Sequence, residues 1–392
     1  MRISALPLVA LLALAAPARA QSGDSEFDAF VASTRAPASA AGVSRATFDQ
    51  ATAGLTPDPS IQARPARQGE FSLAVHDYLG QVVTGAKVAA GRARAASLSG
   101  QLASIQRRFG VPSDIILAIW GIETGYGGSA GSSDVLRVVA THAVRDHRPD
   151  MFRDEFVAAL VMLENGYARR ESLKGSWAGA MGQPQFMPSS YLKYAVPYAG
   201  AGPADIWRSA PDSLASIANF LKESGWNPAL PALVEVAIPE NFDWKPLDLD
   251  FSQWRRLGFL RAGGEALPAS GAASLFLPEG AGGPAFLLTE NWEVVRQYNT
   301  SDSYALAVTL LADRIGGAGG LKRPWPKKLA ALSLTERANT QKLLMAKGFY
   351  SGATDGKVGR ATRTSVHDFQ IAAGILPADG FLTPGVIVRL RE

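Results

Sequence analysis

The sequence predicts a mainly α (α+β) protein: a large helical core, a small β-containing insertion and a compact three-helix ending. Three observations point there. Apolar residues recur at helical spacing through most of the chain, the pattern breaks into short apolar runs between about 227 and 297, and a glycine-rich, proline-bounded stretch sets off residues 328–392. With 392 residues, 47% hydrophobic and 19% charged, the chain can bury one large core and a smaller one. Lys and Arg exceed Asp and Glu by 39 − 35 = 4, spread thinly. That gives no reason to expect nucleic acid and suits at most an anionic polymer.

The first element, residues 1–20, reads as an export signal peptide. Arg2 supplies the positive start, Leu6 to Ala15 the apolar stretch, and Ala18-Arg19-Ala20 a small-residue cleavage site before Gln21. The alternative is an uncleaved anchor, but the run is shorter than the roughly 20 apolar residues a span needs. The chain has no cysteine, so disulfides and a lipid-modified cysteine are both excluded. The expectation is a soluble periplasmic protein with no membrane span after cleavage.

Residues 21–65 mix Ala, Ser, Thr and Pro, with Thr56-Pro57-Asp58-Pro59-Ser60 interrupting any helix, and read as a loosely ordered lead-in. A domain over 66–316 follows. Phe71, Val75, Tyr78 and Leu79 share a helical face. The run Pro112 to Gly127 predicts an apolar helix that Ser113 or Asp114 can cap and that Gly125 or Gly127 can close in left-handed geometry. Glu123 therefore sits in the last turn. There the helix dipole and apolar neighbours such as Trp120 and Ile122 both disfavour an ionised carboxylate, which makes Glu123 a candidate general acid.

Beyond it, Gly175 to Tyr191 is rich in small and aromatic residues. Its glycines let backbone approach a ligand, and Ser176 and Gln185 offer a hydroxyl and an amide to a sugar; a tight turn between packed helices is the alternative. Asp212 can cap a stripe of Leu214, Ile217, Ala218 and Leu221 that ends at Gly225. Leu233 to Ile238 and Ala285 to Leu288 are the clearest strands of the insertion. Helix returns from Ser303 to Ile315, and residues 317–327 read as a linker. In 328–392, Ser333-Leu334-Thr335-Glu336 fits a capping box, Thr362, Val366, Phe369 and Ala373 share a face, and Thr383-Pro384 opens a last helix. The turns Thr354-Asp355-Gly356 and Ala378-Asp379-Gly380 suggest an internal half-repeat.

Other chemistries find no footing. There is no cysteine nucleophile, no P-loop and no metalloprotease pattern among His76, His142, His147 and His367, so surface or core roles are expected for His142 and His147. No cofactor is expected.

Gly121-Ile122-Glu123-Thr124-Gly125-Tyr126-Gly127, the segment Gly175 to Tyr191, and Tyr298-Asn299 followed by Ser303-Tyr304-Ala305 together resemble the lytic murein transglycosylase B family. The resemblance runs from about Gln68 to Ile315. It implies a lysozyme-like core in which Glu123, as sole acid and base, cleaves the N-acetylmuramic acid to N-acetylglucosamine bond of peptidoglycan with formation of a 1,6-anhydro sugar. It also implies that Ser176 and Gln185 hold substrate near the acid and that Tyr298, Asn299 and Tyr304 line the opposite wall. Arg148 falls where a basic residue faces the acidic peptide stem; plain packing or surface roles remain the alternative for Arg148 and the aromatics.

One departure from the family concerns metal. Some relatives carry an Asp-rich calcium loop after the stretch matching Tyr191 to Val196, but Pro197 to Asp205 holds a single carboxylate here. Calcium takes several oxygen ligands, so no metal is expected. Residues 328–392, with Gly348 to Gly359, Thr362-Arg363 and Phe369-Gln370, resemble the peptidoglycan-binding domain type 1, which implies peptidoglycan glycan strands as the partner. Asp355 and Asp379 are expected to serve as turn residues. The competing readings are a catalytically silent peptidoglycan-binding scaffold and a lysozyme-type hydrolase.

Overall fold

The computed structural model describes residues 22–61, 73–146, 148–240, 242, 248–326 and 332–392. The export signal, Phe71 and His147 lie outside these. Among the described residues no helix is long and apolar enough to cross a membrane.

The helical core is built from α1 (Ser22–Ser33), α2 (Arg35–Ala40), α3 (Arg45–Thr52), α4 (Val75–Val82), α5 (Gly85–Ser97), α6 (Ser99–Phe109), α7 (Ser113–Thr124), α8 (Val135–Arg145), α9 (Pro149–Glu164), α10 (Pro188–Tyr194) and α11 (Ala210–Glu223). A two-stranded ribbon, β1 (Ser133–Asp134) against β2 (Lys174–Gly175), joins α7 to the Gly175–Tyr191 segment. At the centre lies α7, where every residue from Ile115 to Gly121 is buried. A helix apolar all round belongs in the middle of a bundle, and this one is enclosed by α5, α6 and α11.

The start of α7 differs from the sequence reading. Pro112 occupies the cap position, with no side-chain bond, while Ser113 and Asp114 lie in the first turn, where Asp114 Oδ1 accepts from Ile115 N at 2.9 Å. The free amide of Ser113 is instead taken by Gln106 Oε1 from α6 at 3.0 Å. At α11 the cap is Ser209, three residues before Asp212, and accepts from the Asp212 amide at 3.2 Å.

The lead-in over 21–65 also needs correction, because its described part is helical and packed. Phe27 and Phe48 are buried, and Phe30 meets Phe156 of α9 edge-on at 5.5 Å. Glu164 accepts both the amide and the hydroxyl of Ser44. Around the prolines, Arg137 and Arg145 of α8 donate to the carbonyls of Thr56, Pro57, Asp58 and Ile61. The prolines do break the helix, as read, but guanidinium groups supply the hydrogen bonds that a helix would have made internally.

The insertion is a five-stranded antiparallel sheet of β3 (Leu233–Ala237), β4 (Asp248–Asp250), β5 (Leu260–Arg261), β6 (Ala272–Phe276) and β7 (Ala285–Leu288), in the order β4-β6-β7-β3-β5. α12 (Phe251–Arg256) lies against it and contributes Phe251 and Trp254 to a second core with Phe259, Val234 and Leu287. The chain then returns through α13 (Glu290–Tyr298) and α14 (Asp302–Ile315), and α14 packs along α7.

The linker is held down where the structure describes it. Glu235 accepts the amides of Lys322 and Arg323, and Arg323 Nη2 donates to Ala281 O at 2.8 Å. The ending has the three expected helices, α15 (Leu334–Ala346), α16 (Arg360–Ala372) and α17 (Pro384–Arg391), and the Ser333/Glu336 capping box forms in both directions. The half-repeat is structural. Gln341 Oε1 accepts from Gly356 N and Gln370 Oε1 from Gly380 N, each at 2.8 Å. Each Asp-Gly turn is thus clamped by a glutamine from the helix before it.

Because Phe27 is 1% exposed, Phe27→Ala should cost about 3–5 kcal/mol of unfolding free energy. Urea titration checks this. A variant that unfolds at the wild-type midpoint would place residues 22–61 outside the cooperative core.

Candidate active site

A helix buried along its length must end somewhere, and α7 ends with Glu123 half-buried beside a loop. Gly125, at φ 59°, closes the helix by donating to Gly121 O at 3.1 Å. Tyr126 follows at φ 64° and turns its ring back against α7, where its hydroxyl reaches Lys87 O at 2.8 Å. Gly121 has to lack a side chain, since a Cβ there would come within 2.6 Å of the Tyr126 ring. Thr124 makes the third fastening: it accepts from Gly127 N at 3.1 Å and lies 3.0 Å from Gln183 O, an acceptor for its hydroxyl.

The Gly175–Tyr191 segment folds over this loop. Ser176 N donates to Ala180 O at 2.7 Å, and Ser176 Oγ accepts from the Ala178 and Ala180 amides. The tight-turn reading and the site reading are therefore compatible here, because Ser176 shapes the turn while its own proton stays available. Gln185 stands at φ 53° and donates to Gly182 O at 2.9 Å and to Ala130 O at 3.4 Å. Tyr126 and Gln185 are the two non-glycine residues with positive φ among those described. Such conformations cost about 1–3 kcal/mol each; Tyr126 lies three residues after Glu123, and Gln185 bonds Ala130 O just beyond the same loop.

The opposite wall comes from α13 and α14. Tyr304 is buried, and its hydroxyl donates to Glu123 Oε1 at 2.5 Å. Tyr298 donates to Pro184 O at 2.6 Å and packs edge-on against Phe220 at 4.7 Å. Burial first, and then the Glu123 charge, hold both phenols well above the ordinary tyrosine range. They are protonated donors across the working pH range. Asn299 ends α13 and accepts from Ser301 N at 3.2 Å. Burial pulls the Lys87 ammonium below its ordinary value and the Glu123 charge pushes it back up, so Lys87 lies within electrostatic reach of the acid.

The structure thus groups Glu123, Tyr304, Tyr298, Gln185 and the Ser176 turn around one loop. Arg148 is exposed at the start of α9, and its contacts are with Asp146 and the ring of Phe152. His142 is a buried residue stacked on Phe152 at 4.6 Å, the core role expected for it.

Gln183, inside the Gly175–Tyr191 segment, carries no sequence signal of its own, yet it is central. Its Oε1 accepts from Trp120 Nε1 at 3.0 Å and its Nε2 donates to Trp207 O at 3.3 Å, which joins α7 to the turn. Lys87 was also missed. Its helix reads as an ordinary amphipathic one, and only the fold brings it near Glu123.

Residues 197–205 do not fit a calcium ion. The carboxylate of Asp212 accepts from the Tyr198 and Asp205 amides at 3.1 and 2.9 Å, while Arg108 donates to Pro197 O at 3.1 Å. Asp205, the single carboxylate of the loop, accepts from the amides of Trp207 and Arg208. Oxygens that would face a cation are occupied by N–H donors.

One carboxyl group at the end of the buried helix, faced by neutral phenols and a small-residue turn, makes this a candidate site for glycan cleavage. The chain belongs to the Transglycosylase SLT domain family, whose model matches residues 26–313. A peptidoglycan binding domain model matches residues 333–390. Over 213 residues the chain is 34% identical to membrane-bound lytic murein transglycosylase B of Escherichia coli (strain K12), covering 53% of this chain and 58% of that protein. It therefore spans less than two thirds of that relative's length.

Among solved structures, SltB3 from Pseudomonas aeruginosa in complex with NAG-anhNAM-pentapeptide superposes with a TM-score of 0.87 at 39% identity, covering 93% of this chain and 99% of that one. The Escherichia coli lytic transglycosylase Slt35 in complex with bulgecin A gives 0.61 at 26% identity, over 75% of this chain and 93% of that one. Slt35 has also been solved in complex with calcium. These likenesses make the catalytic core lysozyme-like and the ending a helical peptidoglycan-binding domain, in agreement with the sequence reading.

Two measurements test the fastening of this loop and the expectation that it holds no metal. Asp212→Ala should cost about 1–3 kcal/mol of stability, because it strips the acceptor from loop amides. EDTA should leave the thermal midpoint of the wild type where it is, and a chelator-induced drop would show that the loop does hold an ion.

Proposed function

We propose that this protein is a lytic transglycosylase that cleaves the N-acetylmuramic acid to N-acetylglucosamine bond of peptidoglycan, with Glu123 as acid and then base. The observation that carries this reading is the Glu123–Tyr304 contact at 2.5 Å, at the mouth of a core belonging to the SLT family. Glu123 gives its proton to the glycosidic oxygen as the C1–O bond breaks. The resulting carboxylate takes the proton of the muramic acid C6 hydroxyl while O6 bonds to C1, so the carboxyl group is regenerated and no water is consumed. A nucleophile already tethered to the substrate removes the need for the second carboxylate that hydrolytic glycosidases use.

The surroundings fit both halves of that cycle. The Tyr304 hydroxyl and the Lys87 ammonium favour the carboxylate of the second step, and the half-buried helix end favours the acid of the first. Ser176 and Gln185 offer hydrogen bonds to the sugar from one wall, Tyr298 and Asn299 from the other, and Arg148 a cation for the peptide stem. SltB3 was crystallised with both NAG-anhNAM-pentapeptide and NAG-NAM-pentapeptide, which supports an anhydro product for this chain as well. The C-terminal bundle would hold the enzyme on the wall and raise the local glycan concentration. A periplasmic location would bring the enzyme to such a substrate and agrees with the export signal read in residues 1–20.

Glu123→Gln should abolish turnover while folding and wall sedimentation stay at wild-type levels, since Gln keeps the shape but cannot cycle a proton. Mass spectrometry of the muropeptides separates this chemistry from hydrolysis. Anhydro products are lighter than hydrolysis products by one water, and a digest containing only the heavier species would make the protein a lysozyme-type hydrolase. Survival of turnover in Glu123→Gln would remove Glu123 from the mechanism.

The pH profile offers a second test. Tyr298 and Tyr304 ionise above the ordinary tyrosine range, so the alkaline limb reports loss of the proton on the acid. Tyr304→Phe deletes a donor that favours the carboxylate, so the acid keeps its proton to higher pH and the limb moves in the alkaline direction. A limb that stays put or moves to lower pH would contradict the role given to Tyr304.

A further inference from the structure

The C-terminal bundle is fastened to the catalytic core behind the tyrosines of the site. Arg363 of α16 lies at the junction, its side chain 24% exposed. Its Nη1 donates to Leu277 O at 3.0 Å, its guanidinium lies 4.7 Å over the ring of Phe276, and its Nη2 stands 3.9 Å from Asp302 Oδ2. Asp379 of the same bundle accepts from Ala281 N at 2.8 Å, and Arg360 pairs with Asp248. A module that served only as a tether could hang on a flexible linker and keep its arginines in water. Here one of them is largely withdrawn from solvent, which costs free energy unless the surrounding acceptors are well placed.

Asp302 is the first residue of α14, and its other oxygen lies 2.9 Å from Arg296 Nε as an ion pair without hydrogen-bond alignment. Arg296 belongs to the last turn of α13 and also donates to Thr300 O at 3.3 Å, within the elbow between the two helices. One carboxylate therefore ties together α13, α14 and the bundle. Tyr298 lies two residues beyond Arg296, and Tyr304 two residues beyond Asp302.

We propose that Arg363 of the wall-binding bundle is a positioning residue for glycan cleavage: through its ion pair with Asp302 it steadies the α13–α14 elbow from which Tyr304 reaches the acid and Tyr298 the Pro184 carbonyl. This role rests on the assignment of Glu123 above. The bundle then acts on the chemical step as well as on the location of the enzyme. Burial lowers the Arg363 proton affinity, and the charges of Asp302 and Asp379 raise it.

The test uses the full chain and a soluble tetrasaccharide of alternating N-acetylglucosamine and N-acetylmuramic acid, too short to need wall anchoring. Arg363→Gln should lower kcat about tenfold, the order expected for slight misplacement of a site group, with KM little changed and sedimentation with insoluble wall intact. Arg363→Lys should recover part of the loss. Asp302→Asn should lower kcat as well, and the double variant should be no slower than the worse single one. Wild-type kcat in folded Arg363→Gln, or losses that multiply in the double variant, would overturn the proposal. Should Arg363→Gln fail to fold, Asp302→Asn decides alone, and unchanged kcat there overturns it. A wild type that leaves the tetrasaccharide intact, or an active Glu123→Gln, refutes the Glu123 assignment and this role with it. Active wild type, inactive Glu123→Gln and full-speed Arg363→Gln refute the Arg363 role alone.

Discussion

The rest of the structure follows from the enclosure of α7. A helix with buried residues on every face cannot slide or rotate without opening cavities, so the position of its last turn is fixed by the whole helical core. Glu123 inherits that precision. The loop after it is locked in turn by Gly125, by the strained Tyr126 and by the Thr124–Gln183 contact. Strain at Tyr126 and Gln185 persists because packing over-determines both, which keeps a carboxyl group and its partners in register.

Much of this was legible in the sequence because the governing interactions are local. The apolar run, the left-handed glycine at its end, the Ser333/Glu336 capping box and the strands at Leu233 and Ala285 each depend on residues a few positions apart. What escaped depends on distant partners. The cap position of α7 falls on Pro112, and the Ser113 amide is taken by Gln106 from another helix, which no local pattern reveals. Residues 22–61 looked loose because Ala and Ser dilute the helical pattern, and because the arginines that bind their carbonyls lie in α8. Gln183 and Lys87 carry no local signature at all, since their roles exist only once α7 has been placed beside them.

A chain without cysteine, expected to work outside the cytoplasm, has to replace covalent staples with other fastenings. Charged side chains on backbone groups provide them repeatedly. Glu164 holds Ser44, Glu235 holds Lys322 and Arg323, Asp212 holds the loop over 197–205, and Arg145 holds Asp58 and Ile61. Each satisfies main-chain groups that irregular segments would otherwise leave to water. Since hydrogen bonds to ionised groups are stronger than neutral ones, a few of them pin long stretches that lack helix or sheet.

The two Asp-Gly turns of the bundle show how such fastening divides a repeat. Gln341 and Gln370 clamp them in the same way, so the turns start out equivalent. Asp355 keeps an exposed carboxylate that accepts from the Lys357 amide within its own turn. Asp379 spends one oxygen on Gln370 and Phe381 and the other on Ala281 of the catalytic core. One half of the repeat is thereby committed to the enzyme's own body and the other faces outward. The bundle's orientation over the core is therefore set by the same class of charge-to-backbone contact that shapes the loops of the active site.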